Sequence, residues 1–395
     1  MSFKINDYTK SREMFERAEK VIPSGVYGHL GPAEGCFIPV SAFPLFGDRA
    51  QGSYFWDVDG NKFIDYMCAY GPNVLGYNDP DVDAAALEQA KKCNCTTSPS
   101  YKAVEFAELL VDTVNCADWA FFAKNGNDVT TAAIMTARAH THRKKIIFIN
   151  GFYHGISPWT QKVDYPGVLE EDVANNIYID WNDIPALERV IAENEGEIAA
   201  FISTPYLHGN FFDNQLPADG YWQKVRELCT KNGIVLIVDD VRAGFRLDIA
   251  GSDHFYGFEA DLICFCKALA NGWNVSALCG KEFLKSSISS LSYTGSYWLS
   301  AIPFAAGIAC INKMKNLNTP ALFREKGLKV GEGLKAAAAN NGFHLVVSGE
   351  PSLFYLRLAD DDSLMLHQEW IAECVRRGVF FTNHHNHFIN AALTD

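Results

Sequence analysis

The chain reads as an α/β protein with a mostly parallel central sheet, helices on both faces, and a smaller α+β lobe built from its N- and C-terminal segments. Three observations point there. Residues 234–239, IVLIVD, are apolar up to a closing acid, the pattern of a strand buried on both faces. Residues 262–266 form a second such run, ended by Lys267. Upstream, short apolar runs at 119–123, 145–149, 173–178 and 198–203 are interleaved with stretches of helical periodicity, the order expected of parallel strands joined by helices. At 395 residues and 48% apolar, the chain exceeds the usual single-domain size. We divide it into an N-terminal segment of the small lobe (1–75), a large domain (76–320) and a C-terminal small domain (321–395).

Taken in order, residues 7–21 carry apolar positions at helical spacing, and Pro23, Ser24 and Gly25 end the helix. The loop 26–33, VYGHLGPA, contains no arginine, the next being Arg49. Residues 54–66 alternate about Asp59 and Gly60, a D-G turn that predicts a short antiparallel hairpin. The following aromatics divide: Tyr66 is expected to fill the lobe, and Tyr70 either fills it or faces a site. Residues 81–92 and 101–114 read as helices. The strand at 119–123 then leads through a polar turn, Asn125 to Asp128, into a helix at 130–142. A strand, a glycine turn and a helix N-terminus make an anion site, because free N–H groups and the helix dipole point at the ligand. Later come a helix at 220–232 stopped by Gly233, a glycine-bounded return strand at 272–280, and a C-terminal lobe of helix, strands and helix from about Leu322.

The net charge of −13 argues against nucleic acid or an anionic membrane as partner. No apolar run approaches the ~20 residues that span a bilayer, and no secretory signal opens the chain. The eleven cysteines lack C-x-x-C spacing and read as reduced thiols packed as small hydrophobes, so the expected setting is cytoplasmic. His384, His385, Asn386 and His387 form the best metal candidate. With no carboxylate or cysteine beside them, no metal site is expected.

Chemistry concentrates at Asp239 and Lys267, the ends of two apolar runs and so of two strands, where ligands sit in open α/β sheets. Lys267 has two readings. In one, its stem lies along apolar surface and its ammonium reaches water. In the other, desolvation lowers its pKa so that the neutral amine condenses with an aldehyde. Pyridoxal 5′-phosphate (PLP) needs such an amine and an acid for its ring nitrogen, and Lys267 and Asp239 supply the pair.

Residues 239–246, DDVRAGFR, resemble the D-E-V-x-T-G-F-R segment of class III aminotransferases and the related glutamate-1-semialdehyde aminomutases, with Lys267 where their cofactor lysine falls. The likeness continues through MFERAEKVIPSGV, YFWDVDGNKFIDY and FYHG to the end of the chain. It implies PLP fold type I and a homodimer with shared active sites. It further implies a phosphate cup at Gly126 and Asn127, Tyr153 lying against the cofactor ring, and Val241 on the opposite ring face. Asn210 is then a partner for the phenolic oxygen, and Thr294 or Ser296 reaches the partner subunit's cofactor phosphate. Arg242 contacts a substrate carboxylate or forms a salt bridge. The chain departs from the family at Thr204, where a glutamate is usual, and in the arginine-free loop 26–33. It also stops where the family continues into a last helix. The activity implied is transfer of an amino group from an amine or amino acid to a keto or aldehyde acceptor through a Schiff base on Lys267. An intramolecular aminomutase or a racemase is the alternative.

Overall fold

The computed structural model describes residues 6–25 and 42–394, so the loop 26–33 lies outside the described residues. The chain forms two units. One comprises the segments Pro80–His208 and Gln215–Pro320, the other the described residues of Met1–Asp79, Gly209–Asn214 and Ala321–Asp395.

The larger unit is organised by a seven-stranded sheet. Its strands are β1 (Trp119–Ala123), β2 (Lys145–Ile149), β3 (Asn176–Ile179), β4 (Ile198–Ser203), β5 (Val235–Asp239), β6 (Leu262–Phe265) and β7 (Ser276–Gly280), in the spatial order β1-β7-β6-β5-β4-β2-β3. The ladders from β3 to β6 are parallel, and β7 runs antiparallel to both its neighbours. β4 and β5 are buried at every position, as their unbroken apolar runs require of strands covered on both faces. The helix Gly126–Thr141 packs over β6 and β7, its Ala132, Ala133 and Ala137 letting the backbone approach the core closely.

Among the boundaries that differ from the sequence reading, two are set by local electrostatics. The strand expected at 173–178 begins at Asn176, because Glu170, Glu171 and Asp172 favour a helical first turn and form the short helix Glu170–Val173. The helix expected at 130–142 starts at Gly126. Its Asp128 carboxylate accepts the N–H groups of Lys124 (3.1 Å) and Asn125 (2.8 Å), so the polar turn is the capped first turn of the helix.

In the smaller unit the D-G hairpin joins the strands Tyr54–Asp57 and Lys62–Asp65. Gly60 takes a φ of 84°, and Asp57 Oδ1 accepts the N–H of Asp59 (3.0 Å) and Asn61 (2.8 Å). Asp59 in turn accepts the N–H groups of Lys10 and Ser11 at 2.6 and 2.8 Å, capping the helix Thr9–Ala18 from 48 to 49 residues away. Tyr66 packs on Phe381 and Tyr70 edge-on to His385. The histidine run is interior: burial pushes His387 down to about 3, and His367 beside it down to about 4. Among the described residues no group of histidines, cysteines and acids is arranged to hold a metal ion, and no helix is long and apolar enough to cross a membrane.

Candidate active site

The strands β1, β2, β4, β5 and β6 leave the sheet at one edge, and the segments that follow them carry, in turn, Asn127, His154, His208, Arg242 and Lys267. Asp239, the last residue of β5, is 4% exposed. Its Oδ2 accepts from His154 Nδ1 at 2.7 Å, and its Oδ1 accepts the N–H of Val241 at 3.2 Å. The carboxylate fixes the His154 tautomer, since it can only accept. The ring of His154 is itself buried beside Phe148 and Phe152, and Nε2 has no hydrogen-bond partner.

Next along the edge, Lys267 follows β6 and opens a single helical turn, Lys267–Ala270. Burial pushes its ammonium down to about 7, and the Arg242 guanidinium adds to the effect, with Cys266 and Asp239 pulling the other way. A lysine so placed is neutral in a sizeable fraction near neutral pH. Arg242 donates from Nη1 to the main-chain oxygen of His208 at 2.8 Å, and burial brings it down to about 10 against the pull of Asp239, Tyr206 and Tyr153. Behind the site Asp240 is 1% exposed and accepts both the N–H (3.0 Å) and the hydroxyl (2.5 Å) of Ser252. Burial raises it to about 7.

After β1, the N-terminus of the helix Gly126–Thr141 faces Val241. A Cβ built on Gly126 would lie 2.9 Å from Val241 Cγ1, so only glycine allows this approach. Asn127 spends its side-chain oxygen on the loop after Tyr153, accepting from Ile156 N–H (2.7 Å), Ser157 N–H (2.9 Å) and Ser157 Oγ (3.1 Å). Its main-chain oxygen accepts from Thr130 Oγ1 at 3.2 Å, and its N–H belongs to the first turn of the helix, where donors face a ligand. Gly126→Ala is expected to push Val241 out of place and raise the dissociation constant for cofactor about tenfold, the equivalent of ~1.4 kcal/mol of overpacking. Titration of the apoprotein with PLP checks this.

The larger unit thus brings together Gly126, Asn127, Tyr153, Asp239, Val241 and Lys267. Tyr153 is 59% exposed, with its hydroxyl within electrostatic reach of Asp239 and Arg242. Thr294 and Ser296 are exposed on the loop before the helix Ala301–Leu317, where Ser296 O accepts from Cys95 Sγ. Asn210 is exposed on the segment Gly209–Asn214, in the other unit. Sequence reasoning passed over His154 and His208. His154 stood inside the quoted FYHG motif, but a hydrogen bond to a carboxylate 85 residues away leaves no local pattern.

The class-III aminotransferase family model matches residues 38–393. The chain is 38% identical to the aminopentol aminotransferase of Sphingopyxis macrogoltabida over 98% of its own length and 90% of that protein's. It is 30% identical to the 3-aminobutyryl-CoA aminotransferase of Cloacimonas acidaminovorans, over 98% and 93%. Among solved structures, the PLP internal aldimine form of the FumI protein of Sphingopyxis sp. MTA144 superposes with a TM-score of 0.94 at 38% identity, covering 98% of this chain and 92% of that one. This chain is therefore a member of the class III aminotransferases, enzymes that move amino groups with PLP as cofactor.

Proposed function

We propose that the donor is an amine whose amino-bearing carbon carries no carboxylate, that the acceptor is a keto acid or aldehyde, and that Lys267 and Asp239 perform the chemistry. The observation that carries the assignment of roles is a desolvated amine, Lys267, within the field of a buried, histidine-held carboxylate, Asp239. The residues fit PLP: the first turn of the helix Gly126–Thr141 presents N–H groups for a phosphate, and Asp239 is a buried carboxylate that can accept from a ring N–H. When bound, the cofactor supplies an aldehyde for the amine and a cationic ring that draws electrons from the donor's Cα.

Lys267 Nζ then has two tasks. It holds the cofactor through its carbon, and once displaced by the donor amine it takes the proton from Cα and returns it to the former aldehyde carbon. Asp239 would keep the proton on the ring nitrogen, His154 fixes the carboxylate, and Val241 and Tyr153 would hold the ring between them. The choice of donor rests on the arginine-free loop 26–33 and on the names of the relatives, aminopentol and 3-aminobutyryl-CoA, neither of which describes an α-amino acid. Incubation with a simple amine decides it. Transfer that requires an added keto acid supports the reading, whereas conversion without any acceptor is the behaviour of a mutase or racemase and refutes it.

The working form is a homodimer, with Thr294 or Ser296 serving the partner's phosphate from its exposed loop. Sedimentation should give a species near double the 43.9 kDa chain mass, and a monomer of full activity would contradict this. The free thiols of the described cysteines suit a reducing compartment, which we take to be the cytoplasm.

A further inference from the structure

The imidazoles of His367 and His387 are fully buried in the smaller unit, and both serve there as acceptors. Thr382 N–H donates to His387 Nε2 at 3.1 Å, and Leu358 N–H donates to His367 Nδ1 at 3.4 Å. A ring nitrogen that accepts a main-chain N–H carries no proton, so each ring has its one proton on the other nitrogen and is neutral. His387 thereby closes the turn 382–387 on itself, and His367 fastens the helix Met365–Arg376 to the end of the strand Leu353–Leu358. Protonation of the accepting nitrogens would set N–H against N–H at both places and break both bonds.

The surroundings offer no counter-charge to a protonated ring. His387 packs against Phe354 and Phe381, and His367 against Tyr355 and Trp370. The turn itself contributes His384, and residues 67–68 bring the Met67 thioether to Thr382 and the Cys68 thiol to Phe388 O. The strand contributes the Tyr355 hydroxyl, which donates to Asn383 O (2.8 Å), and Arg357, a cation already paired with Asp213 at 2.9 and 2.6 Å. The helix's acids, Glu369 and Glu373, pair with Arg376. Burial is accordingly the largest cause that holds His387 at about 3 and His367 at about 4. The neighbouring histidines and Arg357 add to it, against main-chain contacts at Thr382 and Asn383.

The same turn grips the segment Gly209–Asn214. His384 O accepts the N–H of Phe211 at 3.1 Å, and Asn386 Nδ2 donates to Asn214 Oδ1 at 2.8 Å. Phe211 stands there at a φ of 66°, a left-handed conformation that a bulky residue keeps only while its contacts hold it. We propose that His367 and His387 form an acid-released clasp: when the rings take up protons, the turn 382–387 lets go of the segment Gly209–Asn214, and the smaller unit opens reversibly while the sheet of the larger unit stays closed. The choice of amino donor plays no part in this. An open form binds protons from the ordinary ~6.5 downward, and the closed form only from about 4 and about 3. Closure is therefore at full strength above pH ~6.5 and is lost progressively as pH falls. From pH ~7 to pH ~5 each ring multiplies the opening constant by about 20, and the pair by about 400.

Hydrogen exchange of the PLP-loaded enzyme at pH ~7 and pH ~5, corrected for the intrinsic pH dependence of exchange, tests the clasp segment by segment. Residues 209–214, 353–358 and 379–389 should open about 400-fold more at the lower pH, residues 198–203 and 235–239 should not, and return to pH ~7 should restore protection. His387→Gln and His367→Asn each keep an acceptor for the main-chain N–H but do not titrate. Either change should cut the acid response about 20-fold, and the double variant should abolish most of it. Wild type alone also decides the matter, since resonances of ¹³C-labelled histidine should show both rings neutral at pH ~5. Either ring titrating near ~6.5 overturns the proposal. So does unchanged protection of the three segments at pH ~5, an equal loss of protection in the strands β4 and β5, or a full acid response in the double variant.

Discussion

Replacing Lys267 by alanine is expected to reduce amino-group transfer by on the order of 10⁴-fold or more, because one nitrogen serves as both covalent anchor and general base. The variant should still fold and still take up PLP, since Gly126, Asp239 and the helix N-terminus are untouched, but the cofactor should wash out on gel filtration where wild type retains it. A small amine such as methylamine, added to the variant, should recover part of the rate by standing in for the missing base. Retention of full transfer would refute the assignment. The same side chain sets a pH dependence whose sign follows from its environment. Only the neutral amine attacks an aldehyde, and burial has brought the pKa from the ordinary ~10.4 to about 7. The rate at which wild-type apoprotein captures PLP should therefore climb as pH rises through about 7 and level off above it. A rate still climbing towards pH ~10 would mean an undisplaced pKa and a solvated lysine.

The strands that carry these residues were legible because burial on both faces leaves a direct trace in composition. The runs ending at Asp239 and Lys267 could each be read without a neighbour, and every one of the parallel strands lies where a short apolar run predicts it, apart from the shift that three acids impose at 170–172. The site was legible to the extent that its residues end strands or open a helix. What could not be read was side-chain pairing between distant segments. His154 and Asp239 are joined by one hydrogen bond across 85 positions, and Asn127 is committed to a loop 29 to 30 positions further on. The isolation of His208 Nε2 is also a three-dimensional property, arising from a turn pinned by Trp222 and Gln215, and no motif announces an atom without a partner.

Asp239→Asn should be the second most damaging change, lowering kcat on the order of 10³-fold while leaving the fold and the affinity for PLP close to wild type. The argument begins with what asparagine keeps. It has the same shape, so it can still accept from the Val241 N–H or from His154 Nδ1, and the end of β5 has no reason to move. What it lacks is the negative charge, the only property that favours a proton on a ring nitrogen whose ordinary preference at neutral pH is marginal. Without that proton the ring draws electrons from Cα weakly, so the loss falls on kcat, the step in which the bond to hydrogen breaks, rather than on KM. Reconstitution with a cofactor methylated at the ring nitrogen separates this from a structural defect. That ring is cationic whatever stands beside it, so it should return most of the lost rate to Asp239→Asn. It should do nothing for Lys267→Ala, whose deficit is a base. If the methylated cofactor failed to rescue the asparagine variant, Asp239 would be acting through His154 as a prop for the loop after β2, and the electrostatic role would have to be given up.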